Sequence, residues 1–279
     1  MLSKFFPSPG RGEGMGEGAG VRGYTPARMK LWKTRRSDPP LPPENLLDGV
    51  GPGDYWRIGY ETVDLVDELV AIRPEDRVLD VGCGLGRVAW PLASRLGRKG
   101  RYAGLDVSKY YIAWCRQNLD LDPRRFTFHR ADLRTSAYNT EGAMAPEEYV
   151  FPWPDESFDL TLSISLFTHL LPEALRHYLR EIRRTLRPGG RIYSTFFLLD
   201  ERGKAAAASG LTYPTLTAPI EHGLLHDPLV PEDGVAYEPE WICKIFEEAG
   251  LGVTRVYEGT WKTFAEGRSY QDVVVGVRW

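Results

Sequence analysis

Val78-Leu79-Asp80-Val81-Gly82-Cys83-Gly84-Leu85-Gly86-Arg87 is the most informative stretch of the chain. A short apolar strand runs into a cluster of glycines, and the pattern beyond it, over residues 87–96, is helical. Glycines let the backbone turn tightly and let a ligand come close where a Cβ would clash. The spacing is G-x-G-x-G. The dinucleotide fingerprint G-x-G-x-x-G needs glycine at 87, where Arg87 stands. Glycine turns are common at strand–helix junctions, so this spacing alone is a weak signal. Asp80, two residues before the first glycine, sharpens it. An acid at the carboxyl end of a first strand suits a ligand that carries positive charge, and not a pyrophosphate.

Outward from this turn, strands and helices alternate. Strands are predicted over 77–81, 101–106, 126–129, 158–163 and 191–197. Helices are predicted from the Ser108 N-cap through Tyr111, Trp114 and Cys115, over 172–186, and over 238–249. This alternation predicts βαβ units and a mostly parallel sheet covered on both faces. Residues 252–257 and 271–277 are two last strands. The loop between them has no room for a crossover helix, so they are predicted to pair antiparallel. Ahead of the sheet, Val63, Val66, Leu69 and Val70 form an apolar stripe on one helix spanning 43–73, closed by Pro74. Two segments break the alternation, 134–152 and 201–237. Both are long and rich in Gly, Pro and Ala, as lids and binding loops often are.

Acids recur where strands end. Asp106 closes the second strand, 20 residues after Gly86, where a carboxylate can take both ribose hydroxyls. Asp132 follows the third strand, where a side-chain acceptor can meet an exocyclic amine.

Together these segments resemble the class I S-adenosylmethionine-dependent methyltransferases, of the free-standing bacterial small-molecule type. VLDVGCGLGR (78–87) is similar to the first motif of that family, YAGLDVS (102–108) to the second-strand acid, and FHRADL (128–133) to the third. FPWPDESFDLTLSISLFTHL (151–170) and LREIRRTLRPGGRIYSTFF (179–197) are similar to the two motifs that follow. The resemblance covers about residues 76–199, and five motifs in order are far more specific than one. It implies a Rossmann-like α/β sheet of order 3-2-1-4-5-7-6, last strand antiparallel, with helices on both faces. The cofactor it implies is S-adenosyl-L-methionine. Gly82, Gly84 and Gly86 would pass beneath its methionine and ribose portions. Asp80 would sit near the methionine end, and Asp106 would hold the ribose. Asp132 with Leu133 would meet the adenine, Val107 would pack on its face, and Ser163 and Ser165 would line the pocket.

Composition narrows the partners. The chain of 279 residues has a formal charge of -3, but residues 1–40 hold 8 basic and 3 acidic side chains, leaving 27 basic and 35 acidic ones in the other 239. An acidic body argues against a broad nucleic-acid footprint. Residues 7–23, with seven glycines, have little to bury and are predicted to be disordered, with Pro39, Pro40, Pro42 and Pro43 as a stiff linker. Met15 and Met29 are alternative candidate starts. The expected plan is a basic tail over 1–40, a helical cap over 41–74 and the main domain over 75–279. Three dispersed cysteines (Cys83, Cys115, Cys243) form no disulfide framework, which suits a reducing, cytoplasmic setting. No segment nears the roughly 20 apolar residues of a membrane span.

For chemistry, His169, just past the fourth strand, is the candidate general base. Tyr55, Trp56 and Tyr60 are candidates to close over the cofactor, and Tyr110 and Tyr111 to line its pocket. His222 and His226 stand four apart, but Gly223 and Pro228 weaken a helix there and no third ligand is evident, so no metal is expected. The expected acceptor is a small molecule or glycan, methylated at oxygen, with no nucleic-acid partner. Two rivals stay open on the sequence: a nicotinamide-dependent oxidoreductase and a non-catalytic S-adenosylmethionine-binding module.

Overall fold

The strand that leads into the glycine turn, β1 (Arg77–Val81), lies inside a ten-stranded sheet, flanked by β2 (Arg101–Asp106) and β4 (Phe158–Ser163), both parallel to it. The computed structural model describes residues 38–47, 53–263 and 267–279. β3 (Phe126–Arg130) extends the sheet beyond β2, and β5 (Leu186–Leu198) extends it beyond β4. β10 (Asp272–Arg278) pairs antiparallel with both β5 and β9 (Leu251–Tyr257). The main sheet therefore runs β3-β2-β1-β4-β5-β10-β9, the order 3-2-1-4-5-7-6 with its antiparallel last strand.

Alternation along β1 divides the core. Leu79 and Val81 face one layer, with Leu175, Leu179 and Ile182 of α5 (Pro172–Thr185) and Ile242, Ile245 and Phe246 of α7 (Pro239–Glu248). Val78 faces the other, with α2 (Tyr55–Val70), α3 (Ala89–Leu92) and α4 (Lys109–Asn118). The strands are thus buried on both faces, as a parallel sheet requires. Asp54 caps α2 by accepting from the Arg57 N–H, and Ser108 caps α4 by accepting from Tyr111.

Several predicted elements differ. The helix over 43–73 is two helices, α1 (Glu44–Leu47) and α2, with Gly53 and the extended Asp54 ahead of the second. The helix over 87–96 shrinks to α3 and a run of turns, with Pro91, which has no N–H to donate, inside the short helix. The glycine pair Gly189-Gly190 lies within the long β5 instead of preceding it, at an irregular register with β4. The 201–237 segment is not irregular. It holds α6 (Glu201–Ser209) and an arm of three short strands, β6 (Ala218–Ile220), β7 (Gly223–Leu225) and β8 (Val235–Tyr237). This arm joins the sheet where β8 runs parallel to Phe197 and Leu198 at the far end of β5.

The root of the arm is polar and buried. Asp272 accepts from the N–H groups of Leu198 (2.9 Å) and Gly259 (2.8 Å) and from the Trp261 indole (2.7 Å). It also pairs with Lys262, whose ammonium reaches Asp200, the N-cap of α6. Of the tail expected over 1–40, residues 1–37 lie outside the described residues. Asp38 and Pro39, also assigned to that tail, are docked: Asp38 accepts from Tyr60 (2.6 Å) and Trp90 (3.3 Å), and the Pro39 carbonyl from Trp56 (3.1 Å).

Candidate functional site

At the carboxyl ends of β1, β2 and β4 the chain encloses a cavity of about 290 Å³. This is the crevice in which open α/β sheets bind ligands. The glycine turn forms its floor and is tied to β2, since Gly82 and Cys83 both donate to the Leu105 carbonyl. Gly84 has a φ of 53°, and a Cβ placed on it would meet nothing within 4 Å. It opens a notch in the floor that any side chain would fill. Gly86 does different work. A Cβ there would come within 2.5 Å of Leu119 and 3.2 Å of the Cys115 sulfur, so its bareness lets α4 pack close, away from the cavity.

Two carboxylates face this floor. Asp106 accepts from the Gly84 N–H through Oδ2 and from the Ser108 N–H through Oδ1, both at 2.8 Å. Each oxygen keeps a lone pair for a further donor. Burial raises its pKa, and those backbone donors pull it partly back. Asp80 is buried at the end of β1 and accepts from the Tyr102 hydroxyl at 2.7 Å. Burial pushes its pKa up to about 7, helped by Asp106 and opposed by Tyr102. Among the described residues, neither carboxylate is ion-paired.

Val107 and Leu133 also line the cavity, with Ser165 and His169. Asp132 does not. Successive side chains alternate past β3, so Ala131 and Leu133 face in while Asp132 turns out to Arg130 (2.6 Å) and Asn139 (3.1 Å). Ser163 does not line the cavity either. It ends β4 fully buried, its hydroxyl without a partner, and the chain then leaves the strand. Ser165 reaches the wall through a left-handed φ of 57°, with its N–H held by Thr195 (2.7 Å) and its hydroxyl accepting from Gln271 (3.0 Å).

On the opposite wall is the first turn of α2. Tyr55 is buried, lines the cavity and has an unpartnered hydroxyl. The Arg87 guanidinium lies 5.7 Å from its ring centre. Trp56 and Tyr60 instead hold Pro39 and Asp38. Tyr111 lines the cavity, whereas Tyr110 stands in solvent.

A family model described as a methyltransferase domain matches residues 78–190. Residues 78–190 belong to that family. The motifs and the sheet order are those of its class I, S-adenosylmethionine-dependent branch. The chain is 30% identical to the 27-O-demethylrifamycin SV methyltransferase of Amycolatopsis mediterranei, over 56% of this chain and 52% of that protein. It is 28% identical to the tRNA N(3)-cytidine methyltransferase METTL2 of Gallus gallus, over 42% of this chain and 29% of that protein. The matches thus span at most about half the length of these two relatives. A solved S-adenosylmethionine-dependent methyltransferase from Aquifex aeolicus shares the fold, at a TM-score of 0.52 and 18% identity, covering 86% of this chain and all of that one.

The methyltransferase domain suits its cofactor on its own geometry. The Gly84 notch admits a close approach, and Asp106 has lone pairs free for ribose hydroxyls. Asp80 is a buried acid that a cationic ligand would ionise. A folded pKa above the ordinary 3.8 means that the ligand-free domain draws stability from Asp80 at low pH and loses it as pH rises towards 7. A positively charged ligand reverses that preference. Binding of S-adenosylmethionine is expected to release a proton below about pH 7 and to tighten as pH rises through that value. Calorimetry in buffers of differing ionisation enthalpy measures the release, and Asp80→Asn should abolish it.

Tyr138 was not foreseen from sequence. It stands in the 134–152 segment, where an aromatic inside a suspected binding loop was the available signal. Arg87, which breaks the dinucleotide fingerprint in the sequence, also lines the cavity. His222 stacks on Trp241 at 5.4 Å and His226 bonds to the Thr215 carbonyl at 2.9 Å, so the two rings do not share one helix face. Among the described residues no helix is long and apolar enough to cross a membrane, and no group of three or more His, Cys, Asp or Glu side chains could hold a metal ion.

Proposed function

We propose that the protein transfers a methyl group from S-adenosylmethionine to a hydroxyl of a small-molecule or glycan acceptor, in a reducing, cytoplasmic setting. The observation that carries this reading is His169, whose ring lines the same cavity as the Gly84 notch and Asp106. Burial lowers the pKa of that ring, so it is neutral and able to accept a proton near pH 7. When bound, the cofactor supplies a methyl group on a sulfonium, open to in-line displacement. Asp106 holds the ribose, and Asp80 offers negative charge towards the methionine end. Val107 and Leu133 give apolar contact to the base. His169 takes the proton that an acceptor hydroxyl must lose. An amine acceptor has less need of such a base, which favours oxygen. The acidic body, with 35 acidic and 27 basic side chains after residue 40, favours a small acceptor over RNA.

The test is transfer of label from S-adenosylmethionine, labelled in its methyl group, to a panel of phenols and sugar hydroxyls, with matched amines and tRNA alongside. Label is expected on oxygen. The His169→Ala variant should be slower by about 10²–10⁴-fold with cofactor affinity unchanged. Label only on amines or tRNA, or full activity in His169→Ala, would overturn this reading.

A further inference from the structure

His169 closes the short 3-10 turn Phe167–His169, and its Nδ1 lies 2.8 Å from the carbonyl oxygen of Glu232. A carbonyl only accepts, so the proton of the neutral ring sits on Nδ1. Nε2 is left with its lone pair; the Tyr138 hydroxyl, 3.3 Å from Nδ1 and 3.4 Å from Nε2, sits between the two nitrogens and selects neither, so the Glu232 carbonyl alone fixes the tautomer. Free imidazole side chains prefer the opposite tautomer, with the proton on Nε2. Something must therefore hold the Glu232 carbonyl over this ring.

Glu232 lies in the turn Pro231–Asp233, which precedes β8 in the arm. Its carboxylate accepts from both the N–H and the hydroxyl of Ser136, in the other segment that breaks the alternation. The two insertions thus meet over His169, joined by one side chain whose own backbone carbonyl contacts the ring. The ring is faced by the Tyr138 phenol from the first insertion and by the carboxylates of Glu232 and Asp233 from the second. The carboxylates favour a protonated ring, but burial outweighs them.

We propose that Glu232 and Ser136 are positioning residues: a latch between the two insertions that fixes His169 as the Nδ1–H tautomer, with the Nε2 lone pair turned to the acceptor. The role of that lone pair rests on the hydroxyl-methylating reading above, but the tautomer itself does not. Proton transfer in this arrangement is balanced. As the acceptor oxygen forms its bond to the methyl carbon, the bond from carbon to sulfur breaks. The hydroxyl proton passes to Nε2, giving an imidazolium whose Nδ1–H stays on the Glu232 carbonyl.

The experiment needs no acceptor. In the full chain carrying ¹⁵N-labelled histidine, long-range ¹H–¹⁵N correlation separates pyrrole-like from pyridine-like ring nitrogens. The chain has five histidines, and the His169→Gln variant identifies the signals of residue 169. At pH 7 the expected pattern is a protonated Nδ1 and a bare Nε2. In Ser136→Ala the Nδ1–H to Nε2–H ratio should fall about tenfold, since the hydroxyl, one of the two donors that tether the Glu232 carboxylate, is lost while the backbone N–H remains. Ser136→Thr, which keeps both donors, should restore it. Binding of S-adenosylhomocysteine, measured on each variant, confirms that the fold persists. A protonated Nε2 in the unaltered chain, or an unchanged ratio in Ser136→Ala, would overturn the latch. Full turnover in His169→Ala would overturn the base assignment instead and leave the tautomer result intact.

Discussion

Replacing Asp272 by alanine is expected to cost about 3–5 kcal/mol of folding stability, the usual result of breaking a buried ion pair from one side. Asp272 is buried, and so is Trp261, the ring it anchors. Its loss leaves the Leu198 and Gly259 N–H groups and the Trp261 indole without their acceptor. Lys262, itself buried, keeps Asp200 alone. For a domain of this size that is roughly a 10 °C fall in melting temperature. Asp272→Asn retains one acceptor oxygen and should lose less. Thermal melts of the two variants check this, and a melting point within 2 °C of the parent for the alanine variant would show that the cluster contributes little.

Replacing Asp106 by alanine is expected to weaken S-adenosylhomocysteine binding about 5- to 150-fold, the equivalent of 1–3 kcal/mol for a buried polar partner removed. Two effects combine. The ribose hydroxyls would lose their acceptor. The glycine turn would also lose its brace, because the Gly84 and Ser108 N–H groups both end on this carboxylate. Asp106→Asn can still accept at one oxygen, so a smaller loss is expected there. Isothermal calorimetry separates the variants, and equal affinity in parent and Asp106→Ala would remove the ribose assignment.

The parts of the site legible in sequence are those set by local geometry. Asp80, Gly82, Gly84, Asp106 and Val107 follow from one rule, that a parallel strand ends and the chain turns at the ligand-binding edge. Where the rule was extended by counting alone, it misplaced residues. Asp132 and Ser163 look equivalent to their neighbours as letters. The side-chain alternation past β3 turns Asp132 out to solvent while Leu133 faces in, and the left-handed kink at Ser165 brings that serine to the wall while Ser163 stays in the core. Gly86 belongs to the same motif as Gly84 yet serves the packing of α4, which depends on Cys115 and Leu119 some 30 residues away. The arm was invisible for a different reason. Strands of three residues, interrupted by Pro219 and Gly223, are too short to show a period of two. The contacts of Glu232 span 63 residues to His169 and 96 to Ser136, and no local pattern encodes them.

The arm's attachment has a consequence for how such a chain diversifies. Among the described residues, its strand pairing to the main sheet runs from β8 to the last two residues of β5, and the partners of Asp80 and Asp106 lie outside the arm. The strands that carry Asp80 and Asp106 and the arm that carries Glu232 are therefore joined by one short pairing, sealed by Leu225, Val235 and Tyr237 packed into the main core. An arm of another length or chemistry could be grafted at Phe197 and Leu198 while the donor cradle stayed as it is. A change at the rim over His169 would then be a change of graft, made with the same strands beneath it.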